Sequence, residues 1–159
     1  MDISSRAEFA ADPARVFEML TTKEFLDEVC VAGHAREYEC SVSGSTTTSR
    51  RVLPAPDSAS KFTGPTLTVV EEITWGDARP DGGRTGQVKL TVPGQPVNLS
   101  GTVELAPGGP GSTIDLKADL KVNIPLLGKK LEQSAAPAIL AGFDVQQQVG
   151  QRWLAGGSA

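Results

Sequence analysis

The chain has 159 residues, 39% hydrophobic and 21% charged, with a formal net charge of −4 at pH 7. That is enough apolar material for one buried core and too much for a disordered chain. Acidic and basic residues are interspersed with no lysine or arginine cluster, which counts against nucleic acid and an anionic membrane surface, and no apolar run is long enough to span a bilayer.

Met1 to Arg6 lacks the basic and apolar regions of a signal peptide, so the expectation is a cytoplasmic protein. Ile3, Ser5, Ala7 and Phe9 alternate with polar neighbours as a first strand. Asp12-Pro13 then reads as an N-cap followed by proline at the first helical position. Val16, Phe17 and Leu20 form the apolar side of a short helix. A second, about Lys23 to Ala32, carries Phe25, Leu26 and Val29 and stops at Gly33.

From His34 the period changes to two. Tyr38, Cys40 and Val42 alternate up to Gly44, and Ser45 to Leu53 completes a hairpin. Residues 55–64 read as a loop. Thr66 to Trp75 is a strand with Leu67, Val69, Ile73 and Trp75 on one face. Three more follow between glycine- and proline-rich turns, with apolar phases Gly86-Val88-Leu90-Val92, Val97-Leu99-Gly101-Val103-Leu105 and Ile114-Leu116-Ala118-Leu120-Val122-Ile124.

Pro125 to Leu154 is the one stretch long enough for a helix of several turns. A 100° step places Leu127, Leu131, Ala135, Ala138, Gly142, Val145, Val149 and Trp153 on one stripe, with Leu140 and Phe143 off it. Pro137 predicts a kink or a break near Gln133. The resulting order, β-α-α-β-β-β-β-β-β-α, predicts an α+β domain over residues 1–154 with a long helix laid across the apolar face of an antiparallel sheet. Residues 155–159 read as a flexible tail. Because Ala135, Ala138 and Gly142 are small, the helix is expected to stand off and leave a cavity.

Catalytic signatures are sparse. His34 is the lone histidine, and Cys30 and Cys40 read as free buried thiols, so no metal site or cofactor is expected. No phosphate-binding glycine motif occurs. Glu71 sits on the apolar phase of its strand, where a carboxylate either faces a partner or ligand or is carried into water at an edge. Alternation sends one of Arg50 and Arg51 to the same side. Tyr38 and Trp75 share that phase, and Phe62 is a candidate lid residue.

Three sets of residues carry a resemblance. They are the strand–Asp12-Pro13–helix opening, Ile73-Thr74-Trp75-Gly76 at a strand end, and Lys121-Val122-Asn123-Ile124-Pro125-Leu126-Leu127-Gly128 before the long helix. In this order, across nearly the whole chain, they resemble the START-like (SRPBCC, polyketide-cyclase-like) superfamily, in particular an uncharacterised bacterial branch of unknown function. The resemblance implies a helix-grip fold, a curved antiparallel sheet around the C-terminal helix, with a largely apolar cavity for lipids, sterols or polyketides. It implies no shared catalytic residue.

The leading expectation is therefore a binder or carrier of a hydrophobic small molecule. Its ligand wall is expected to comprise Tyr38, Arg51, Val69, Glu71, Ile73, Trp75, Val88, Leu90, Leu99, Val103, Leu116, Ala135, Ala138 and Gly142. The alternatives are a cyclase-, hydrolase- or isomerase-type enzyme using Glu71 with Arg51 or Tyr38, and a partner-regulating module whose outer helix face shows Leu140 and Phe143. A monomer or weak homodimer is expected.

Overall fold

Apolar–polar alternation sets the strands of this protein, and glycine or proline turns set their ends. A computed structural model describes residues 1–57 and 59–156. The elements run β1 (Asp2–Phe9), α1 (Pro13–Leu20), α2 (Lys23–Ala32), β2 (Glu37–Ser43), β3 (Thr46–Pro54), α3 (Ser60–Thr63), β4 (Thr66–Trp75), β5 (Arg84–Thr91), β6 (Val97–Gly108), β7 (Gly111–Val122) and α4 (Gly128–Leu154). The expected order holds, with the single turn α3 added inside the 55–64 loop. Of the expected flexible tail, residues 157–159 lie outside the described residues.

Asp12 caps α1 as its side-chain chemistry predicts, accepting the Arg15 N–H at 2.9 Å, with Pro13 following at a position that needs no donor. At the end of α2 the left-handed turn falls on His34 (φ 64°) instead of Gly33.

All seven strands form one antiparallel sheet in the order β1-β7-β6-β5-β4-β3-β2. The first strand therefore pairs with the last, and the others follow as a meander. Register puts cross-strand rows on the concave face. Thr47, Ile73, Val88, Gly101 and Ala118 form one row; Ser49, Glu71, Leu90, Leu99 and Leu120 form the next. Gly101 is needed where β6 lies close against β7: a Cβ there would overlap the Lys117 carbonyl and Ala118. Phe9, Val16, Met19, Phe25, Leu99, Leu105, Leu120 and Val149 form the most buried part of the core. This is an α+β helix-grip fold.

The grip helix α4 packs on β1, β7 and α2, and is continuous through Pro137. Pro137 is exposed, so the carbonyl its ring displaces can turn to water. The helix is rotated from the expected stripe. Ala136, Ile139, Leu140, Phe143, Val149 and Gly150 turn inward, while Leu127, Ala138 and Gly142 are exposed. The reason is area: burying Ile139, Leu140 and Phe143 removes far more apolar surface from water than burying an alanine and a glycine. Leu140 and Phe143 therefore face the core, and the outer interface expected of them does not exist.

Glu132 is a second feature missed in the sequence. Its carboxylate is buried under the first turns of α4, accepts the Val122 N–H at 3.0 Å and faces the terminal amine of Met1 at 3.5 Å. The backbone hydrogen bond, with help from that amine, holds its carboxyl below the usual range. Glu132 thus ties the start of α4 to the end of β7.

Candidate functional site

Between α2, α4 and the concave face of the sheet lies a cavity of about 60 Å³. Its wall is mainly apolar, drawn from Ala7, Phe9, Leu20, Leu26, Val29, Ile73, Trp75, Val103, Ile114, Leu116 and Phe143. Ser5, Cys30, Thr47, Ser49, Arg51, Glu71, Gln146 and Gln147 supply the polar groups. Such a space holds a few water molecules. It is several-fold smaller than the roughly 300 Å³ at which drug-sized ligands begin to fit.

Arg51 and Glu71 meet at one end. Strand alternation points Arg51 inward and leaves Arg50 in solvent, and the β3–β4 register sets Arg51 diagonal to Glu71. The Arg51 Nη2 to Glu71 Oε2 distance is 3.3 Å, with side chains only 18% and 11% exposed. Arg51 Nη1 also donates to Ser49 Oγ at 3.3 Å. An inward carboxylate on an apolar face thus has a counter-charge, which is what keeps it tolerable there.

Polar contacts continue from Ser49 towards α2. Cys30 Sγ lies 3.6 Å from both Ser49 Oγ and Cys40 Sγ. Both thiols are free and buried. Burial, then the neighbouring Cys30 and Asp27, push the Cys40 thiol up to about 12, so it is fully protonated near neutrality. At the other end Trp75 is 5% exposed, and its Nε1 has no hydrogen-bond partner among the described residues. Its ring meets Phe17 edge-on with centroids 5.9 Å apart, and the Arg84 guanidinium covers Phe17 at 3.7 Å.

Six of the expected wall residues line this cavity: Arg51, Glu71, Ile73, Trp75, Val103 and Leu116. Val69, Val88, Leu90 and Leu99 are buried on the same face but belong to the packed core. Ala135 is half-buried against that core. Ala138 and Gly142 are corrected to the solvent side, and nothing lies within 4 Å of a Cβ placed on Gly142. Tyr38 is also corrected: it shares the row of Arg51, yet it is 43% exposed and does not line the cavity. Phe62 is exposed on α3 and does not line the cavity.

Thr47 and Ser49 were legible, since they share the strand phase of Arg51. Gln146 and Gln147 carried no such signal; Gln147 Oε1 accepts the Glu8 N–H at 2.7 Å, spending its polarity on the edge of β1. Among the described residues no group of histidine, cysteine and carboxylate side chains is placed to hold a metal ion.

Residues 4–154 match the profile of a family described as protein of unknown function (DUF2505). The chain belongs to that family. This DUF2505 chain is also 31% identical over 90 residues to the uncharacterized protein Rv0481c of Mycobacterium tuberculosis, covering 55% of its own length and 51% of the relative's. The same values hold for Mb0491c of Mycobacterium bovis. The chain thus spans about half the length of the curated relatives it matches. Among solved structures, the DUF2505 fold is similar to TTHA0849 from Thermus thermophilus, with a TM-score of 0.66, 18% identity and full coverage of both chains. It is also similar to a STAR-related lipid transfer protein from Xanthomonas axonopodis, with a TM-score of 0.63, 13% identity, and coverage of 96% of this chain and 84% of that one. At such identities the likeness is one of fold.

Proposed function

We propose that the protein binds a hydrophobic small molecule between the concave sheet and α4, as a START-like binder or carrier. The observation that carries this reading is the Arg51–Glu71 pair, buried at the end of a mainly apolar space. A buried ion pair adds little to stability compared with apolar residues of the same volume. It does give an amphiphile's polar end something to hydrogen-bond. The shared fold of a lipid transfer protein supports the same direction.

The resting volume sets a condition. A ligand larger than a few heavy atoms enters only if the wall gives way, and Phe143, Gln146 and Gln147 are what α4 contributes to that wall. The acid–base reading loses Tyr38 to the surface, leaving Glu71 and Arg51 occupied with each other.

Tryptophan fluorescence tests the binding reading directly. The chain has two tryptophans, and only Trp75 lines the cavity, so Trp153→Phe leaves one reporter. Titration with decanoate is expected to give a saturable change in its emission, abolished by Ala7→Phe, which fills the space. A linear response, or one that survives Ala7→Phe, counts against a ligand in this cavity.

A further inference from the structure

The exposed large apolar side chains are not scattered. Among the described residues they are Met1, Val31, Tyr38, Phe62, Leu126 and Leu127, with exposures from 40% to 104%. The antiparallel topology brings all six to one pole. Met1 precedes β1, Tyr38 begins β2, and Phe62 lies between β3 and β4. Leu126 and Leu127 follow β7, and Val31 is in the last turn of α2, just before β2. The loops there are linked: Gln95 Nε2 donates to the Phe62 carbonyl at 3.4 Å, and the Asn123 N–H to the Pro96 carbonyl at 2.8 Å. The opposite pole (10–12, 44–45, 76–83 and 109–110) exposes no large apolar side chain among the described residues.

Leu126 is the extreme case. It is fully exposed and held at φ 67°, a left-handed conformation that leucine rarely adopts. Such backbone strain, used to project an apolar side chain into water, points to function more than to stability. Exposed Lys121, Lys129 and Lys130 flank Leu126 and Leu127, and exposed Lys61 adjoins Phe62. Of the carboxylates at this edge, Asp119 and Glu132 face the terminal amine, and Asp2 is exposed beside them. On the far side Glu37 and Asp57 are exposed at the same pole, so the positive charge is concentrated at the β7–α4 turn.

We infer that this pole docks on an anionic lipid bilayer, with Leu126, Leu127 and Phe62 entering the headgroup–acyl boundary and the lysines meeting anionic headgroups. The lysines looked dispersed in sequence, at 61, 121 and 129–130; the fold collects them. Arg51, at the polar end of the cavity, sits in the cross-strand row that begins with Tyr38 at this pole. Docking here would bring the cavity's ion pair close to the lipid surface. The inference stands on the surface alone, and absence of a cavity ligand would leave it intact.

Flotation with vesicles of phosphatidylcholine and phosphatidylglycerol in equal parts, compared with phosphatidylcholine alone, tests it. The protein is expected to float with the anionic vesicles. Leu126→Asn/Leu127→Ser should lower binding by roughly tenfold or more, and Lys129→Glu/Lys130→Glu by roughly thirtyfold or more, both with unchanged thermal unfolding. No flotation with either vesicle overturns the inference, as does flotation indifferent to both variants. If the wild type fails to float and the leucine variant turns a dimer into a monomer on size exclusion, the pole is a contact between copies of this chain instead.

Discussion

Two glycines of α4 give opposite predictions. Gly142 is exposed, with nothing within 4 Å of an added Cβ. An alanine there keeps only the propensity gain, about 1 kcal/mol in a helix interior. Gly150 is buried, and a Cβ there would run into the Phe9 ring and meet Met19 Cε at 3.1 Å. Phe9 and Met19 are 1% and 2% exposed, so they can yield only by shifting within the core. Overpacking of this kind costs about 1–3 kcal/mol, and a severe overlap takes the upper part of that range. Set against the same propensity gain, Gly150→Ala should lose about 2 kcal/mol. With roughly 2–4 °C per kcal/mol for a chain of this size, Gly142→Ala should raise Tm by about 3 °C and Gly150→Ala lower it by about 6 °C. Thermal unfolding followed by circular dichroism reads both. A Gly142→Ala protein less stable than wild type, or a Gly150→Ala protein more stable, would refute the orientation of α4 and with it the cavity wall.

Other predictions concern the polar groups of the cavity. Arg51→Met leaves Glu71 buried without its counter-charge and should destabilise by roughly 3 kcal/mol in urea unfolding, while Arg51→Met/Glu71→Leu recovers most of the loss; equal losses in both would mean that the pair is not the anchor of this wall. Because Cys40 is raised from 9.0 to about 12, native protein at pH 8 should resist alkylation at Cys40 until it is unfolded. The sign for stability follows: the protonated thiol favours the folded state, so its contribution is complete below pH 9 and disappears as pH rises towards 12. Cys40→Ala should flatten that alkaline decline, and an unchanged slope would show that another group causes it.

The strands could be placed from sequence because each of their faces is uniform. Val88, Leu90, Leu99, Val103 and Leu116 alternate strictly with polar residues, so one choice of phase places them all on the concave face. Glu71 was ambiguous for the same reason that it is interesting: alternation turned it inward, and only the register with β3 supplies Arg51 as its partner. The helix was harder. Its residues are small or polar on several sides, so a wheel that counts Ala138 and Gly142 as apolar competes with one centred on Ile139, Leu140 and Phe143. Burial area decides between them, and it depends on what the sheet offers opposite. Tyr38 has the right phase but stays 43% exposed, a matter of tertiary surroundings that no periodicity encodes. The apolar pole is invisible for a similar reason, since its members are spread from residue 1 to residue 127.

The central claim is that a hydrophobic molecule occupies the space between sheet and α4, and native mass spectrometry of protein purified without detergent tests it most directly. The account predicts a wild-type mass above that of the chain, with the excess released on denaturation as an apolar or amphiphilic compound and absent from Ala7→Phe. A wild-type protein that carries only the mass of its chain, and that still does so after incubation with decanoate, would contradict it.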